Sequence, residues 1–188
     1  MYSFKNICIT NRHISKLSLV KQLELIITKS KPDLIILREK DLDKVNYKLL
    51  ASYLIKLCDK NNIDINLHTY VDIALSLNHK KIHLSYTDFI YNIDKNRNFQ
   101  EIGVSVHSVE EAINSSNNGA TYIIAGHIFS TDCKKNLKPK GEIFIKEIIE
   151  SVNIPVYAIG GINFANIEKI KNVGANGACM MSEYMNMI

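Results

Sequence analysis

The sequence predicts an α/β fold of the (β/α)8 TIM-barrel class, formed as a single domain over residues 1–188 with a truncated last helix. Three observations predict it: eight short apolar runs, amphipathic segments between them, and a length of 188 residues that suits one domain. Strictly alternating strands and helices require parallel strands with right-handed crossovers, and eight such units can close into a barrel. An open doubly wound sheet is the alternative.

The predicted strands are rich in β-branched residues and follow one another along the whole chain. They lie at residues 7–10, 34–37, 63–67, 81–84, 101–106, 122–125, 155–159 and 177–181. Helical patterns fill the intervals at residues 17–28, 44–59, 70–79, 86–95, 108–116, 141–152 and 167–173. Ser108 and Glu111 have the capping-box spacing that marks a helix start. Only residues 182–188 follow the eighth strand, so the last helix is absent or one turn long.

Composition argues against several classes of protein. No apolar run approaches the roughly 20 residues that span a bilayer, so no membrane partner is expected. The net charge is +4, but the lysines are scattered, which argues against a nucleic-acid partner and suits a small anionic substrate. Without a signal-peptide pattern, a cytoplasmic location is the default expectation. The cysteines lack zinc or redox spacing and are expected to be reduced thiols: Cys8, Cys58, Cys133 and Cys179.

Backbone-rich turns after the seventh and eighth strands are the predicted phosphate site, because phosphate commonly binds there in such barrels. Gly160 and Gly161 follow the seventh strand, and glycines let the backbone approach a ligand. Asn163 is a good N-cap, so the next helix is expected to begin there with free N–H groups. Met181 and Ser182 form a similar turn. A tight turn without a ligand explains the two glycines equally well.

Arg38 and Lys40 are the candidate anion-binding side chains. They lie in the run Leu37-Arg38-Glu39-Lys40 at the end of the second strand. Arginine offers a planar fork for carboxylate or phosphate, and lysine offers a point charge. A solvated run of charged residues is the alternative.

His127 is the candidate catalytic residue. It comes directly after Gly126 and the sixth strand, and hydroxyl residues and lysines follow it. Imidazole titrates near neutral pH, so a histidine at the mouth of the barrel can move a proton. A structural histidine is the alternative.

Other polar residues near strand ends are weaker candidates. His68 ends the third strand and His107 follows the fifth, so both are candidate pocket residues. Asp88 follows the fourth strand and is a candidate Mg²⁺ ligand, but no second carboxylate follows an adjacent strand as clearly. The residues alone therefore predict no metal site. The remaining histidines are expected to be structural: His13, His79 and His83.

From about Thr10 to Ser182 the chain resembles the thiamine phosphate synthase/TenI superfamily, whose fold is a (β/α)8 barrel. The resemblance depends on several short motifs in one order. They are Leu37-Arg-Glu-Lys40, Ile82-His-Leu84, Gly103-Val-Ser105, Gly119-Ala120 with Tyr122, the segment 126–134, Ile159-Gly-Gly-Ile162, and Gly174-Ala175 through Met181-Ser182.

The resemblance implies one of two enzymatic activities, or neither. The synthase, a transferase, joins hydroxymethylpyrimidine diphosphate to a thiazole phosphate and releases pyrophosphate, with Mg²⁺ held by two aspartates. Asp88 matches the second aspartate, but Thr69 stands in place of the first. Ile36 and Cys133 likewise replace a glutamine and a threonine of the synthase pattern. Losing one of two carboxylates should weaken Mg²⁺ handling of a pyrophosphate leaving group.

The segment 126–134 and Leu67-His68 are more similar to TenI-type proteins. The resemblance therefore implies a thiazole tautomerase, an isomerase that shifts a proton in a carboxylated thiazole phosphate. The synthase and a non-catalytic ligand-binding or regulatory relative are the alternatives. The tautomerase needs no cofactor, whereas the synthase would need Mg²⁺ at Asp88.

Under the tautomerase hypothesis each candidate residue has a catalytic or a substrate-binding role. His127 moves the proton, and the expected partner is a phosphorylated thiazole small molecule. Whether the chain forms a homo-oligomer is left open. The substrate-binding residues are expected to be Arg38, Lys40, Ser105, Lys134, Gly160, Gly161, Met181 and Ser182.

Overall fold

Eight parallel strands form a closed barrel in the computed structural model of the protein, which describes residues 3–131 and 137–188. The strands pair in chain order, and the eighth pairs back with the first. This closure confirms the predicted TIM-barrel class and excludes the open doubly wound sheet. The strands are β1 (Lys5–Ile9), β2 (Leu34–Leu37), β3 (Asp64–His68), β4 (Lys81–Ser85), β5 (Glu101–Val106), β6 (Tyr122–Gly126), β7 (Val156–Ile159) and β8 (Gly177–Met180).

Helices lie between the strands and cover the outside of the barrel. They are α1 (Leu19–Lys29), α2 (Lys44–Asn61), α3 (Val71–Ser76), α4 (Tyr86–Tyr91), α5 (Ile93–Asn96), α6 (Val109–Asn117), α7 (Gly141–Ser151), α8 (Ile167–Asn172) and α9 (Ser182–Met185). The helix predicted at 86–95 is two helices, because Asn92 leaves helical geometry with φ −102° and ψ 22°. Across the described ranges, no helix combines the length and apolar content needed to cross a bilayer.

The strands are largely buried on both faces, which explains the continuous apolar runs of β2, β6, β7 and β8. Side chains alternate along a strand, so one set faces the barrel interior and the other faces the helices. The apolar members of the interior set are Ile7, Ile9, Leu34, Ile36, Tyr122, Ile124, Tyr157 and Cys179. Asn66 on β3 and His83 on β4 contact Tyr122 and add polar groups to this interior. A larger cluster between strands and helices includes the fully buried Leu23, Ile26 and Leu54.

The predicted helix start at Ser108 is confirmed. Ser108 Oγ accepts a hydrogen bond from the Glu111 N–H at 3.0 Å, and Glu111 Oε2 accepts one from the His107 N–H at 2.6 Å. After β8, α9 has four residues, which confirms the truncated last helix.

The helix after β7 lies where the pattern at 167–173 predicted it, but it does not begin near Asn163 as the N-cap expectation assumed. Asn163 Oδ1 accepts hydrogen bonds from the Ala165 and Asn166 N–H groups at 3.0 and 3.1 Å. This side chain therefore closes a turn that precedes the helix, and α8 starts only at Ile167. The first N–H groups of α8 are consequently about one turn further along the chain than the predicted phosphate site assumed.

Candidate functional site

A cavity of about 720 Å³ opens at the carboxyl ends of the strands. Because the strands are parallel, the residues that follow them meet around this mouth. Lys134 lies outside the described residues. The other predicted substrate-binding residues, and the predicted catalytic residue, all line the cavity: Arg38, Lys40, Ser105, His127, Gly160, Gly161, Met181 and Ser182.

Arg38 and Lys40 bring positive charge to the cavity. The Arg38 N–H donates to Thr10 Oγ1 at 2.9 Å, and the Tyr70 hydroxyl donates to the Lys40 carbonyl at 2.9 Å. The backbone of this run is thus tied to the loops on both sides. Burial, and then the charge of Arg38, lower the pKa of Lys40. Two neighbouring cations in a recessed cavity favour an anionic ligand.

Glu39, between these two cations, is buried and paired rather than solvated. Its side chain is 1% exposed, and its Oε2 accepts a hydrogen bond from Arg12 Nη1 at 3.0 Å. Arg12 also forms an ion pair with Asp41. The alternative of a solvated charged run therefore does not hold for Glu39, which joins the loop after β1 to the loop after β2, whereas Lys40 is exposed.

Gly160 and Gly161 form a tight turn against the segment that follows β6. Both have positive φ, at 106° and 65°. A Cβ on Gly160 would lie 2.3 Å from His127 Cβ, and one on Gly161 would lie 2.3 Å from the Ser130 carbonyl oxygen. The Phe129 N–H donates to the Gly160 carbonyl at 3.0 Å. The two glycines are therefore required by loop packing, and they also line the cavity.

The turn after β8 completes this side of the cavity. Met181 and Ser182 both line it, and α9 begins at Ser182. The first N–H groups of a helix have no acceptor within the helix, so donors are available here. Asn11 Nδ2 lies 3.6 Å from Met181 Sδ, which links this turn to the loop after β1.

His127 lies in the cavity wall rather than across the cavity from the glycine turn. The residue is 5% exposed, and its Nε2 lies 3.2 Å from the Leu137 carbonyl oxygen. Its Cβ is beside Gly160, as the close approach above shows. One ring nitrogen is thus engaged by the backbone, and the imidazole does not face the predicted phosphate site from the opposite rim.

Two histidines and a serine form the floor of the cavity: His68, His83 and Ser105. His83 Nε2 lies 2.7 Å from Ser105 Oγ. Burial lowers the pKa of both histidines, that of His83 to about 3, so both are neutral near pH 7. His83 was expected to be structural, and its ring is buried and hydrogen-bonded, but it also lines the cavity. Residues two apart on a strand share a face, and Ser85 lines the cavity beside it.

Five further polar residues line the cavity. His107 is among them, and its Nδ1 lies 3.9 Å from Glu111 Oε2. Asn163 and Glu183 were not predicted as ligand contacts, because neither stands directly at a strand end. The five residues are His107, Ser130, Thr131, Asn163 and Glu183.

Asp88 and Thr69 follow β4 and β3, where the family resemblance implies Mg²⁺. Asp88 Oδ2 accepts a hydrogen bond from Ser85 Oγ at 2.6 Å, and the carboxylate charge offsets only part of the lowering of the Lys40 pKa by burial and Arg38. The Thr69 hydroxyl lies 2.5 Å from His68 Nδ1. In the part of the chain that the structure describes, no group of three or more His, Cys, Asp or Glu side chains could hold a metal. One carboxylate near an anion-binding cavity still fits Mg²⁺, which binds mainly through substrate oxygens and water.

Comparison with known proteins identifies relatives over nearly the whole chain. Residues 7–184 match the family described as thiamine monophosphate synthase (TMP-TENI). The thiamine-phosphate synthase of Clostridium acetobutylicum is 34% identical over 184 residues, covering 95% of this chain and 86% of that protein. The Clostridium tetani protein of the same name is 35% identical over 151 residues, covering 79% of this chain and 72% of that protein.

Solved structures agree with this match. The thiamine phosphate pyrophosphorylase from Pyrococcus furiosus has a TM-score of 0.83 at 27% identity, covering 98% of this chain and 88% of that one. A 3-hexulose-6-phosphate synthase has a TM-score of 0.65 at 14% identity, covering 94% of this chain and 89% of that one, and shows the shared fold alone.

The predicted thiazole tautomerase is wrong. The similarity to TenI came from one loop and one dipeptide, whereas relatives named thiamine-phosphate synthase match across most of the chain. The burial of His127 in the wall is a physical reason to set aside a reaction that depends on its imidazole. The resemblance to the wider superfamily is confirmed, and the chain belongs to the thiamine monophosphate synthase family.

Proposed function

We propose that this protein is a thiamine-phosphate synthase, a transferase that joins hydroxymethylpyrimidine diphosphate to a thiazole phosphate and releases pyrophosphate. One observation carries the proposal: two anion-binding regions line a single cavity. Arg38 and Lys40 form the first, and the turns after β7 and β8 form the second. A reaction between two phosphorylated molecules needs both regions at once.

The thiazole phosphate is assigned to the turns at Gly160, Gly161 and Ser182. Backbone N–H groups in such turns are fixed donors, so binding a phosphate there requires little ordering of side chains. Both positions have positive φ, which favours glycine, and a glycine has no side chain to keep the ligand from the backbone.

The diphosphate is assigned to Arg38 and Lys40. Negative charge accumulates on the diphosphate as its bond to the pyrimidine carbon breaks, and fixed positive charge stabilises that state more than the ground state. The guanidinium of Arg38 can pair with two oxygens at once. The histidines on the cavity floor are neutral, so Arg38 and Lys40 are the arginine and lysine that the described part of the chain offers to the leaving group.

Asp88 is the residue that would hold Mg²⁺, with the Thr69 hydroxyl near the same strand ends. The chemistry that the metal supplies when bound is neutralisation of charge on the leaving diphosphate. A single carboxylate leaves most ligand positions to substrate oxygens and water. We therefore expect binding of Mg²⁺ to depend strongly on the presence of diphosphate.

Of the three departures from the synthase pattern, Cys133 lies outside the described residues, and the other two bear on affinity rather than on the type of reaction. Ile36, at the glutamine position, is fully buried in the barrel interior and offers no polar group to the pyrimidine. Thr69 removes one carboxylate. Both changes delete a binding contact, and neither adds a group that would support different chemistry.

The direct test is an assay with both substrates and Mg²⁺, which measures thiamine phosphate and pyrophosphate together. Arg38→Met is expected to lower kcat/KM by about 10- to 100-fold, because it removes a charge-assisted contact. Arg97→Met is the matched control, since Arg97 is 77% exposed and pairs with Asp94 on the outside of the barrel. Release of no pyrophosphate by the folded wild-type protein would contradict the proposal. Binding of both substrates without turnover would instead identify a non-catalytic ligand-binding relative.

A further inference from the structure

A row of hydrogen bonds crosses the barrel interior from its amino-terminal face to the cavity. Glu101, the first residue of β5, accepts from Asn66 Nδ2 at 2.7 Å. The same nitrogen lies 2.9 Å from the Tyr122 hydroxyl oxygen. That hydroxyl lies 3.1 Å from His83 Nδ1, and His83 Nε2 lies 2.7 Å from Ser105 Oγ. These five residues are called the hydrogen-bond row below.

Glu101, the first residue of the row, determines which partner donates and which accepts in every hydrogen bond that follows. An ionised carboxylate only accepts, so Asn66 must turn its NH₂ group toward Glu101, and its second N–H donates to the Tyr122 oxygen. The Tyr122 proton is then free to donate to His83 Nδ1. A neutral imidazole that accepts at Nδ1 carries its proton on Nε2 and donates it to Ser105. The Ser105 proton therefore remains for an acceptor in the cavity.

Features beside the row support this assignment. Asn66 Oδ1 is buried, with no hydrogen-bond partner among the described residues. Flipping the Asn66 side-chain amide would place its oxygen against the Glu101 carboxylate, and the two would repel. The amide therefore keeps its orientation, although Oδ1 remains without a partner among the described residues. A Cβ on Gly103 would lie 1.9 Å from Tyr122 Cζ, so the Tyr122 ring can occupy its position only because residue 103 is a glycine. The row also depends on a neutral His83, and burial lowers the pKa of His83 to about 3.

The row is not a path for protons. The amide of Asn66 donates two hydrogen bonds but does not titrate, so no proton can pass through it along the row. The row instead fixes which partner donates in each hydrogen bond. It thereby determines whether the Ser105 hydroxyl donates or accepts toward the cavity.

We propose that Glu101, acting through Asn66, Tyr122 and His83, is a positioning residue that makes Ser105 a hydrogen-bond donor to an anionic oxygen of the ligand. The identity of that ligand as a diphosphate rests on the proposed function, but the polarity of Ser105 does not. Without this control a serine hydroxyl can rotate and offer either its proton or a lone pair. A fixed donor favours phosphate oxygens, which only accept.

The first test measures the His83 tautomer in the complete chain by long-range ¹⁵N–¹H correlation near pH 7. The expected result is a single tautomer protonated on Nε2. Glu101→Gln, at the amino-terminal end of β5, is expected to give a mixture of tautomers, because a carboxamide accommodates either orientation of Asn66. A wild-type tautomer protonated on Nδ1, or an unchanged single tautomer in Glu101→Gln, would overturn the proposal.

The second test measures binding of inorganic pyrophosphate by calorimetry. Ser105→Ala is expected to weaken binding about 10-fold, and Tyr122→Phe to weaken it between about 2- and 10-fold. The double variant should bind no more weakly than Ser105→Ala alone, since both changes remove one interaction. Tyr86→Phe is the matched control, because the Tyr86 hydroxyl accepts from Asn114 outside the row.

The outcomes separate this inference from the proposed function. Additive effects in the double variant, or normal binding by Tyr122→Phe, would contradict the row while leaving synthase turnover intact. Normal results for the tautomer and for pyrophosphate binding, with no turnover, would contradict the synthase proposal alone. Absence of any pyrophosphate binding to the wild-type protein would overturn the assignment of an anionic ligand to Ser105.

Discussion

The imidazole rings of His68 and His83 lie 5.4 Å apart on adjacent strands, where the two residues are direct register partners. Both rings are buried at the cavity floor. Burial is the main reason that their pKa values are lowered, and the proximity of His83 lowers that of His68 further. Adding a proton to either ring would place an unsolvated charge beside the other, so the folded protein keeps both neutral.

The stability of the protein is expected to fall as the pH decreases below about 6.5. The unfolded chain takes up protons at these histidines below that pH, whereas the folded chain does not. For His83 the loss is about 1.4 kcal/mol per pH unit, and it levels off below the folded pKa of about 3. Denaturant unfolding between about pH 7.5 and pH 5 measures this slope. His83→Gln should flatten it, while His13→Gln, at an exposed position, should not; equal slopes in all three proteins would refute the assignment.

Removing the Arg12 guanidinium is expected to destabilise the fold by about 3 kcal/mol, because it leaves the Glu39 carboxylate buried without its ion-pair partner. Arg12→Met keeps much of the side-chain volume, so the loss reports the charge. Lys44→Met breaks an exposed pair with Asp72 and should cost less than about 1 kcal/mol. Equal losses from the two variants in urea unfolding would show that Glu39 does not depend on Arg12.

Gly160→Ala is expected to destabilise the protein and weaken phosphate binding together. The new methyl group would lie 2.3 Å from His127 Cβ, so the loops after β6 and β7 must separate. Gly119→Ala is the matched control: Gly119 also has positive φ, but nothing lies within 4 Å of its added Cβ. Positive φ alone costs about 1 kcal/mol, and Gly160→Ala should exceed that value in thermal unfolding. A loss no larger than that of Gly119→Ala would contradict the close contact.

Thr69→Asp is expected to tighten Mg²⁺ binding in the presence of pyrophosphate by about 10-fold, because it adds a second carboxylate near Asp88. The backbone can accept this change, since Thr69 has φ 69°, a conformation that aspartate tolerates better than a β-branched residue. Calorimetric titration with Mg²⁺ measures the effect without any turnover.

Asp88→Asn should weaken the same Mg²⁺ binding, whereas Asp72→Asn should leave it unchanged. Asp72 is the matched control because it is an exposed carboxylate paired with Lys44 and Lys95. If the Asp88 and Asp72 variants bound Mg²⁺ equally well, Asp88 would not be a ligand.

The sequence by itself predicted parallel strands and the edge at which the site lies, while the pairing of β8 with β1 decided the barrel over an open sheet. Eight apolar runs separated by amphipathic segments require parallel strands, and parallel strands place the residues after them at one end. Arg38, Lys40 and Gly160 could be assigned to the cavity for this reason alone. Such patterns can be recognised within one segment of the sequence, because each strand and each helix has its own spacing of apolar residues.

Only the tertiary structure decided which groups meet across the barrel. Tyr122 reaches Asn66 from 56 residues away, and Glu39 finds its partner in Arg12, 27 residues earlier. These contacts depend on strand register and on the room left by Gly103, and neither follows from the periodicity of one segment. For the same reason a short TenI-like loop suggested the wrong reaction, since His127 packs in the wall against Gly160, in the turn after the next strand.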